Sequence, residues 1–277
     1  MHFSRRIPVW CACGVLALLA ACASTTKTNV AGNNRQQLLL VSAESVNQKS
    51  IQYYQQQNAE ARKKGELITS GAEYQRVYTI MQRMVPHVGV FRDDAMRWKW
   101  ELVLIDEPDV NAHVMAGGKI TFYTGLIRKL QLNDDEIAAV MGHEISHALR
   151  EHTREKMSQQ QAGNVVLIAG AVGAAVAGRS DVGTILGVGA LAKTIALDLP
   201  FSRTMESEAD EYGLELSARA GYDPRAAITL WDKMARQGGG GSSFLSTHPA
   251  PGDRKAALTA LQPKVLPLYE AALRTRR

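Results

Sequence analysis

Apolar and polar residues follow three rhythms along this chain. From Leu38 to Val88 a Gln-rich stretch places Tyr53, Tyr54, Tyr74, Tyr78 and Met81 at helical spacing, with breaks near Gly65 and Gly71, and predicts packing helices. From Trp98 to Leu102 the alternation is strict and runs on through Val103 to Ile105 until Glu107-Pro108 ends it, a strand pattern. Ala112 to Met115 and Lys119 to Tyr123 flank Gly117-Gly118, so a small antiparallel sheet with a tight Gly-Gly turn is expected. Asn133-Asp134-Asp135-Glu136 supplies a cap residue, a Glu three places on and acidic charge in the first turn. Ile137, Met141, Ile145, Ala148 and Leu149 then keep helical spacing, which predicts one helix from about Asp134 to Lys156.

Two Gly/Ala-rich apolar runs follow, 163–178 and 182–197, interrupted by Arg179-Ser180-Asp181. Each is short of the roughly 20 residues a membrane-spanning helix needs. A buried helical hairpin is the simpler expectation, and a hairpin that dips into a membrane or gates a site is the alternative. A polar helix is expected from Glu206 to Ala220, closed by Gly221. Another should run from Asp223-Pro224 to about Arg236, then a flexible Gly238–Gly241 loop, a short helix from about Asp253 and a C-terminal tail. The fold class this implies is α+β, mainly α, with one catalytic-sized domain over residues 41–277.

The first 21 residues follow a different logic. Arg5 and Arg6 precede an apolar stretch from Ile7 to Leu19, and the small residues Ala20 and Ala21 stand before Cys22, the pattern of a secretory signal peptide. Leu19-Ala20-Ala21-Cys22 resembles the bacterial lipobox, which implies cleavage before Cys22 and a lipid on its sulfur. Cys11 and Cys13 fall within the leader, so Cys22 is the one cysteine left and no disulfide can form in the mature chain. Ala23 is non-acidic, which by the same resemblance favours the outer membrane, and residues 22–40 are expected to be a lipidated, flexible tether.

The charge is +5, from 32 Lys+Arg against 27 Asp+Glu; without Arg5 and Arg6 it is +3. With no long basic run and no interleaved aromatics, nothing favours nucleic acid as a partner. The 45% hydrophobic content excludes disorder along the whole length.

Candidate chemistry sits in His143-Glu144-Ile145-Ser146-His147. Two histidines four apart on a helix project about 40° from one another and can bind one metal ion. Glu144 beside them is placed to take a proton from water acidified at that metal. A catalytic zinc has three protein ligands. His152 lies about 140° away from His147 on a continuous helix; no glycine breaks that helix, so His152 is expected at the surface or in packing. Glu206 in Glu206-Ser207-Glu208-Ala209-Asp210 is the better third ligand, with Asp210 one turn on to hydrogen-bond a ligand histidine. Glu208 should point away into solvent.

These two motifs together resemble the HtpX and CAAX-prenyl-endopeptidase family of gluzincin peptidases, most closely its soluble periplasmic lipoprotein members, from about Tyr74 to Arg254. The resemblance implies a zincin-like fold, one Zn2+ per chain on His143, His147 and Glu206, Glu144 as general base, and Asp210 supporting a ligand. Asn111-Ala112-His113-Val114 is similar to the family's cleft-lining edge strand, which pairs with substrate backbone. Ser246-Thr247-His248-Pro249 is similar to its Thr-His-Pro segment. His248 is therefore a catalytic-site candidate, either occupying the water position and holding the enzyme latent or donating to the oxyanion; Arg254 is a substrate contact. The expected function is a membrane-anchored zinc metalloendopeptidase of the bacterial envelope, at the periplasmic face of the outer membrane. Its expected substrates are misfolded or unassembled envelope proteins, with outer-membrane assembly machinery as a partner. The alternative is a latent peptidase acting mainly as a periplasmic chaperone or assembly factor.

Overall fold

A computed structural model of the chain describes residues 22–176, 200–236, 243–249 and 253–275. The leader 1–21 and the second apolar run, 182–197, lie outside the described residues. The described chain opens with an antiparallel pair, β1 (Cys22–Ala23) and β2 (Gln37–Leu38). The segment between them is not a flexible tether: Thr26, Asn33 and Arg35 are hydrogen-bonded to later helices, and the backbone N–H of Val30 donates to Glu215. Its Thr, Asn and Gln side chains, which read as solvated in the sequence, instead satisfy buried polar groups.

The helical spacing after Val41 becomes α1 (Ala43–Lys64), closed by Gly65 at φ 75°, and α2 (Ala72–Met84), entered through Gly71. Strands β3 (Leu67–Ile68), β4 (Glu101–Ile105), β5 (Ala112–Met115) and β6 (Lys119–Tyr123) form one sheet in the order β3-β4-β6-β5. The β5–β6 hairpin is antiparallel, and Gly117 and Gly118 turn it with positive φ. β4 nevertheless pairs parallel with β6, so the sheet is mixed. The hairpin enters with β6 inward, which buries Ile120 and Phe122 and leaves β5 at the sheet edge. Leu102, Leu104, Ile120, Phe122, Ala112 and Val114 face the helical core, while Val103 and Met115 pack on Tyr54 of α1 across the other face.

After α3 (Thr124–Lys129), helix α4 (Asp134–Leu149) starts at the expected capping box. The Asn133 side chain accepts from the Glu136 N–H at 2.9 Å, and the Glu136 carboxylate accepts from the Asn133 N–H at 2.9 Å. The helix does not run on to Lys156. It stops at Leu149; Glu151 takes a left-handed φ of 50°, and the chain restarts as α5 (His152–Val176). Side-chain partners hold that unusual backbone in place of a glycine: Glu151 is paired with Arg92 and Arg154, and the fully buried Arg150 is anchored by Glu208 and Thr26. The opening of the first Gly/Ala run belongs to α5, where Val165 and Val166 are exposed and not packed in a core. Among the described residues no helix is long and apolar enough to cross a membrane.

The remaining helices are α6 (Arg203–Arg219), capped by Ser202, α7 (Ala226–Arg236), α8 (Ser243–Thr247) and α9 (Arg254–Arg274). α9 is a 21-residue helix and not a short helix with a tail. Pro263 and Pro267 each remove a backbone donor, but Leu258 and Val265 pack against Leu214, Ala218 and Ala227, and that burial outweighs the lost bonds. The main core lies between the sheet and α2, α4 and α6, and includes Ile80, Met84, Ile137, Met141, Ile145, Tyr212 and Leu216. α4 and α6 cross at Gly142 and Gly213. A Cβ on Gly142 would stand 2.6 Å from the Gly213 carbonyl oxygen, and one on Gly213 would stand 2.6 Å from the His143 nitrogen. Two missing side chains thus let one helix bring its acids against the other's histidines.

Candidate metal centre

Helix α4 presents His143 and His147 one turn apart on the face turned toward α6, both buried. Their Nε2 atoms converge to 3.1 Å. Glu206, fully buried in the first turn of α6, closes the triangle: Oε2 lies 3.3 Å from His143 Nε2 and Oε1 lies 3.4 Å from His147 Nε2. Tetrahedral coordination with bonds of about 2.0–2.1 Å separates ligand atoms by about 3.3–3.4 Å. The three side chains therefore fit a zinc ion, and a carboxylate with imidazole nitrogens is the donor set zinc prefers. Burial alone would raise the Glu206 carboxyl, but hydrogen bonds from His143, His147 and His248 outweigh it and hold the group below the usual carboxylate range.

His248 joins this cluster. It follows α8 directly, is 3% exposed, and puts Nδ1 2.9 Å from Glu206 Oε1 and 3.4 Å from His143 Nε2. Ligand atoms of His143, His147, Glu206 and His248 all lie within 4.8 Å of one another. The His248 ring stacks on Phe244 with centroids 4.4 Å apart, and its Nε2 reaches within 3.5 Å of Glu144 Oε1. The segment is tied back toward the edge strand, since the Phe244 N–H donates to the Val110 carbonyl and the Ser243 hydroxyl to Asp109.

Glu144 follows the first histidine and is 2% exposed. Its Oε1 has no hydrogen-bond partner among the described residues, and burial pushes its carboxyl up. A desolvated carboxylate with a raised pKa is suited to taking up a proton and giving it back.

Two sets of contacts orient the histidines from behind. His143 Nδ1 lies 3.0 Å from Asp210 Oδ1, as the one-turn spacing from Glu206 predicts. Arg254 then grips Asp210 through Nε and Nη2, each at 2.6 Å, reaches Glu206 at 3.2 Å and lies over the Trp231 ring at 3.5 Å. Expected at the substrate, Arg254 is instead 4% exposed and turned onto the site's own carboxylates, because α9 packs it under Trp231.

On the other side, His147 Nδ1 meets His152 Nδ1 at 2.9 Å, and His152 Nε2 meets Glu208 Oε2 at 2.9 Å. His152 is no surface histidine: the break at Arg150–Glu151 swings it back behind His147, where it is fully buried. Glu208 does point away from the metal face, yet it is 1% exposed and paired with His152, Arg150 and Arg35 instead of water. The sequence held two cues to this arrangement, a third histidine five residues on and a third acid in the downstream motif. Arg35 carried none.

Of the edge-strand candidates, Asn111 leads into β5 and Ala112 packs in the main core. His113 sits opposite Thr121, on the sheet face that α1 covers. Its Nε2 is buried without a partner among the described residues, and burial pushes the imidazole down to about 4.

Known proteins share this arrangement of motifs. A mitochondrial metalloendopeptidase, OMA1, of Arabidopsis thaliana is 38% identical over 162 residues, 58% of this chain and 31% of that protein. The Beta-barrel assembly-enhancing protease of Escherichia coli K12 is 29% identical over 187 residues, 66% of this chain and 37% of that protein. The Metalloprotease LoiP of the same strain is 33% identical over 147 residues, 53% of this chain and 56% of that protein. The chain thus spans between about a third and a little over half of these relatives' lengths. The model of peptidase family M48 matches residues 71–262, from Gly71 before α2 into the first half of α9 and including every residue of the metal cluster. By that match the chain belongs to peptidase family M48, a family of zinc metallopeptidases.

Proposed function

We propose that the protein is a zinc metalloendopeptidase that hydrolyses peptide bonds in misfolded or unassembled envelope proteins. The observation that carries this reading is the convergence of His143, His147 and Glu206 at zinc-ligand spacing beside the buried Glu144. Zinc held by those three side chains would polarise the scissile carbonyl and acidify water at the site. Glu144 takes the proton of the attacking water and delivers it to the leaving amine. Asp210 keeps His143 turned so that Nε2 faces inward. β5 is the edge strand of the described sheet, and an extended substrate would add alongside it at Asn111–His113, which favours unfolded segments of loose sequence. The substrate class and the place of action, the periplasmic face of the outer membrane through a lipid on Cys22, draw support from the lipobox-like Leu19–Cys22 and from the Escherichia coli relative named for beta-barrel assembly. That name also supports outer-membrane assembly machinery as a partner.

The experiment is cleavage of an unfolded model protein by the zinc-loaded full-length chain beside Glu144→Gln. The variant is expected to retain zinc and lose hydrolysis, and chelation should abolish hydrolysis in the parent. Undiminished cleavage by Glu144→Gln would overturn the mechanism. Cys22→Ser should leave the membrane fraction; a variant that stays membrane-bound counts against the anchor.

One observation favours a second, latent reading: His248 bonds Glu206 at 2.9 Å and stands where the substrate carbonyl or water would have to come. Faster cleavage by His248→Ala supports a plug, with client holding as the resting activity. Slower cleavage supports an oxyanion donor.

A further inference from the structure

We propose that Arg35, on the segment just after Cys22, is a positioning residue for the metal ligand His147, acting through Glu208 and His152. The proposal rests on reading His147 as a zinc ligand. If His147 offers Nε2 to the metal, its hydrogen sits on Nδ1, and the 2.9 Å contact makes His152 Nδ1 the acceptor. His152 then carries its own hydrogen on Nε2 and donates to Glu208 Oε2, also at 2.9 Å. The chain of bonds has one consistent direction and ends on a carboxylate. It is the carboxylate–histidine–metal arrangement lengthened by one imidazole.

Such a chain orients His147 only while its far end is held in place. Glu208 is 1% exposed, and so is the neighbouring Glu155. Arg35 forks across both: Nε and Nη2 reach the two Glu208 oxygens at 2.6 and 3.0 Å, and Nη1 and Nη2 reach the two Glu155 oxygens at 2.6 and 2.8 Å. The planar guanidinium with its five donors is the side chain that can serve two carboxylates at once. Arg150 adds bonds to Glu208 at 3.1 and 3.2 Å. Without Arg35, Arg150 would be left to Glu208 while Glu155 held a second buried charge alongside. The segment 22–40 thus does more than link a lipid to a domain, since one of its side chains completes the support of a metal ligand.

The test measures zinc affinity of the full-length chain by competition with a chromophoric chelator, for the parent, Arg35→Gln, His152→Ala, the double variant and Lys27→Ala. Loss of outer partners of a metal ligand typically weakens binding about 10- to 100-fold. His152→Ala is expected near the upper figure and Arg35→Gln near the lower. The double variant should match His152→Ala, because the second change cuts a chain already cut. Lys27→Ala removes an ion pair from the same segment to Asp93, 2.6 Å long and away from Arg35, Glu208 and Glu155, so it should leave zinc affinity at the parent value. Arg35→Lys should restore part of the affinity, and the His147 Nδ1 proton resonance should move in Arg35→Gln but not in Lys27→Ala. Parent-like affinity in Arg35→Gln, or losses that multiply in the double variant, would overturn the proposal. Zinc binding undiminished in His147→Ala would sink the metal-ligand reading and this proposal with it; normal loss in His147→Ala with none in Arg35→Gln sinks this proposal alone.

Discussion

His143 and His147 stand one turn apart on the same helix and converge on the same point, but they are held by different means. Asp210 reaches His143 directly, because it follows Glu206 by four residues on α6 and helix periodicity carries both to one face. No acid on that face lies behind His147. Glu208 is two residues from Glu206 and so points about 200° round the helix, and the gap is bridged by His152, which the break after α4 brings back into place. Each line of support ends on an arginine from an opposite end of the domain: Arg254 from α9 behind Asp210, and Arg35 from the N-terminal segment behind Glu208. A direct partner can ride in the same periodic motif as another ligand, as Asp210 does with Glu206. A relayed partner needs three separate pieces of chain.

The contrast breaks most severely at Asp210. Asp210→Ala frees the His143 ring and leaves Arg254 buried with less counter-charge, and removing one partner of a buried pair costs about 3 kcal/mol or more. Urea unfolding should show that loss, with zinc affinity down about 100-fold; a stability within error of the parent would mean that Arg254 finds enough compensation in Glu206. Gly213→Ala strikes both lines together, since Glu206, Glu208 and Asp210 ride on one helix. Alanine in mid-helix should gain up to about 1 kcal/mol from propensity, whereas a Cβ 2.6 Å from the His143 nitrogen forces the helices apart and costs about 1–3 kcal/mol. Net destabilisation with weakened zinc binding is expected, and a more stable variant would show that the crossing is slack.

The smallest effect is in pH. Burial opposes charge on His143, but Asp210 and Glu206 outweigh it and raise the imidazole to about 9. A raised histidine keeps its proton below that value, and zinc must displace the proton. Apparent affinity of the chelator-stripped protein should therefore fall about tenfold, or about 1.4 kcal/mol, for each unit below pH 9. Asp210→Asn should move this dependence to lower pH while His152→Ala leaves it in place. Titrations that shift equally in both variants would erase the distinction between the two sides.

What the sequence disclosed follows from the same division. Periodic features were legible: the capping box at Asn133, the hairpin at Gly117-Gly118, the one-turn pairs His143/His147 and Glu206/Asp210. So was the mainly helical α+β class. Features set by long-range contact were not. The stop at Leu149 depends on partners of Arg150 and Glu151 that lie up to 126 residues away, so local propensity read one helix to Lys156. Glu208 looked like a solvated charge and Arg254 like a substrate contact because nothing near them in sequence tells of Arg35 or Trp231. The parallel pairing of β4 with β6 was hidden because alternation describes a strand and not its neighbours.

The left-handed residue at Glu151 has a consequence for anyone who would build with this helix. The five residues His143–His147 read in the sequence as a cassette that could be moved to a new scaffold with its chemistry intact. Here the cassette carries support for neither imidazole, and the support of the second begins only beyond a backbone kink stabilised by residues foreign to the cassette. A graft ending at Leu149 would import two metal-binding rings, both without the partners that orient them. The smallest portable unit is the helix, its kink and the first turn of α5, received by a host that offers an acid to His152.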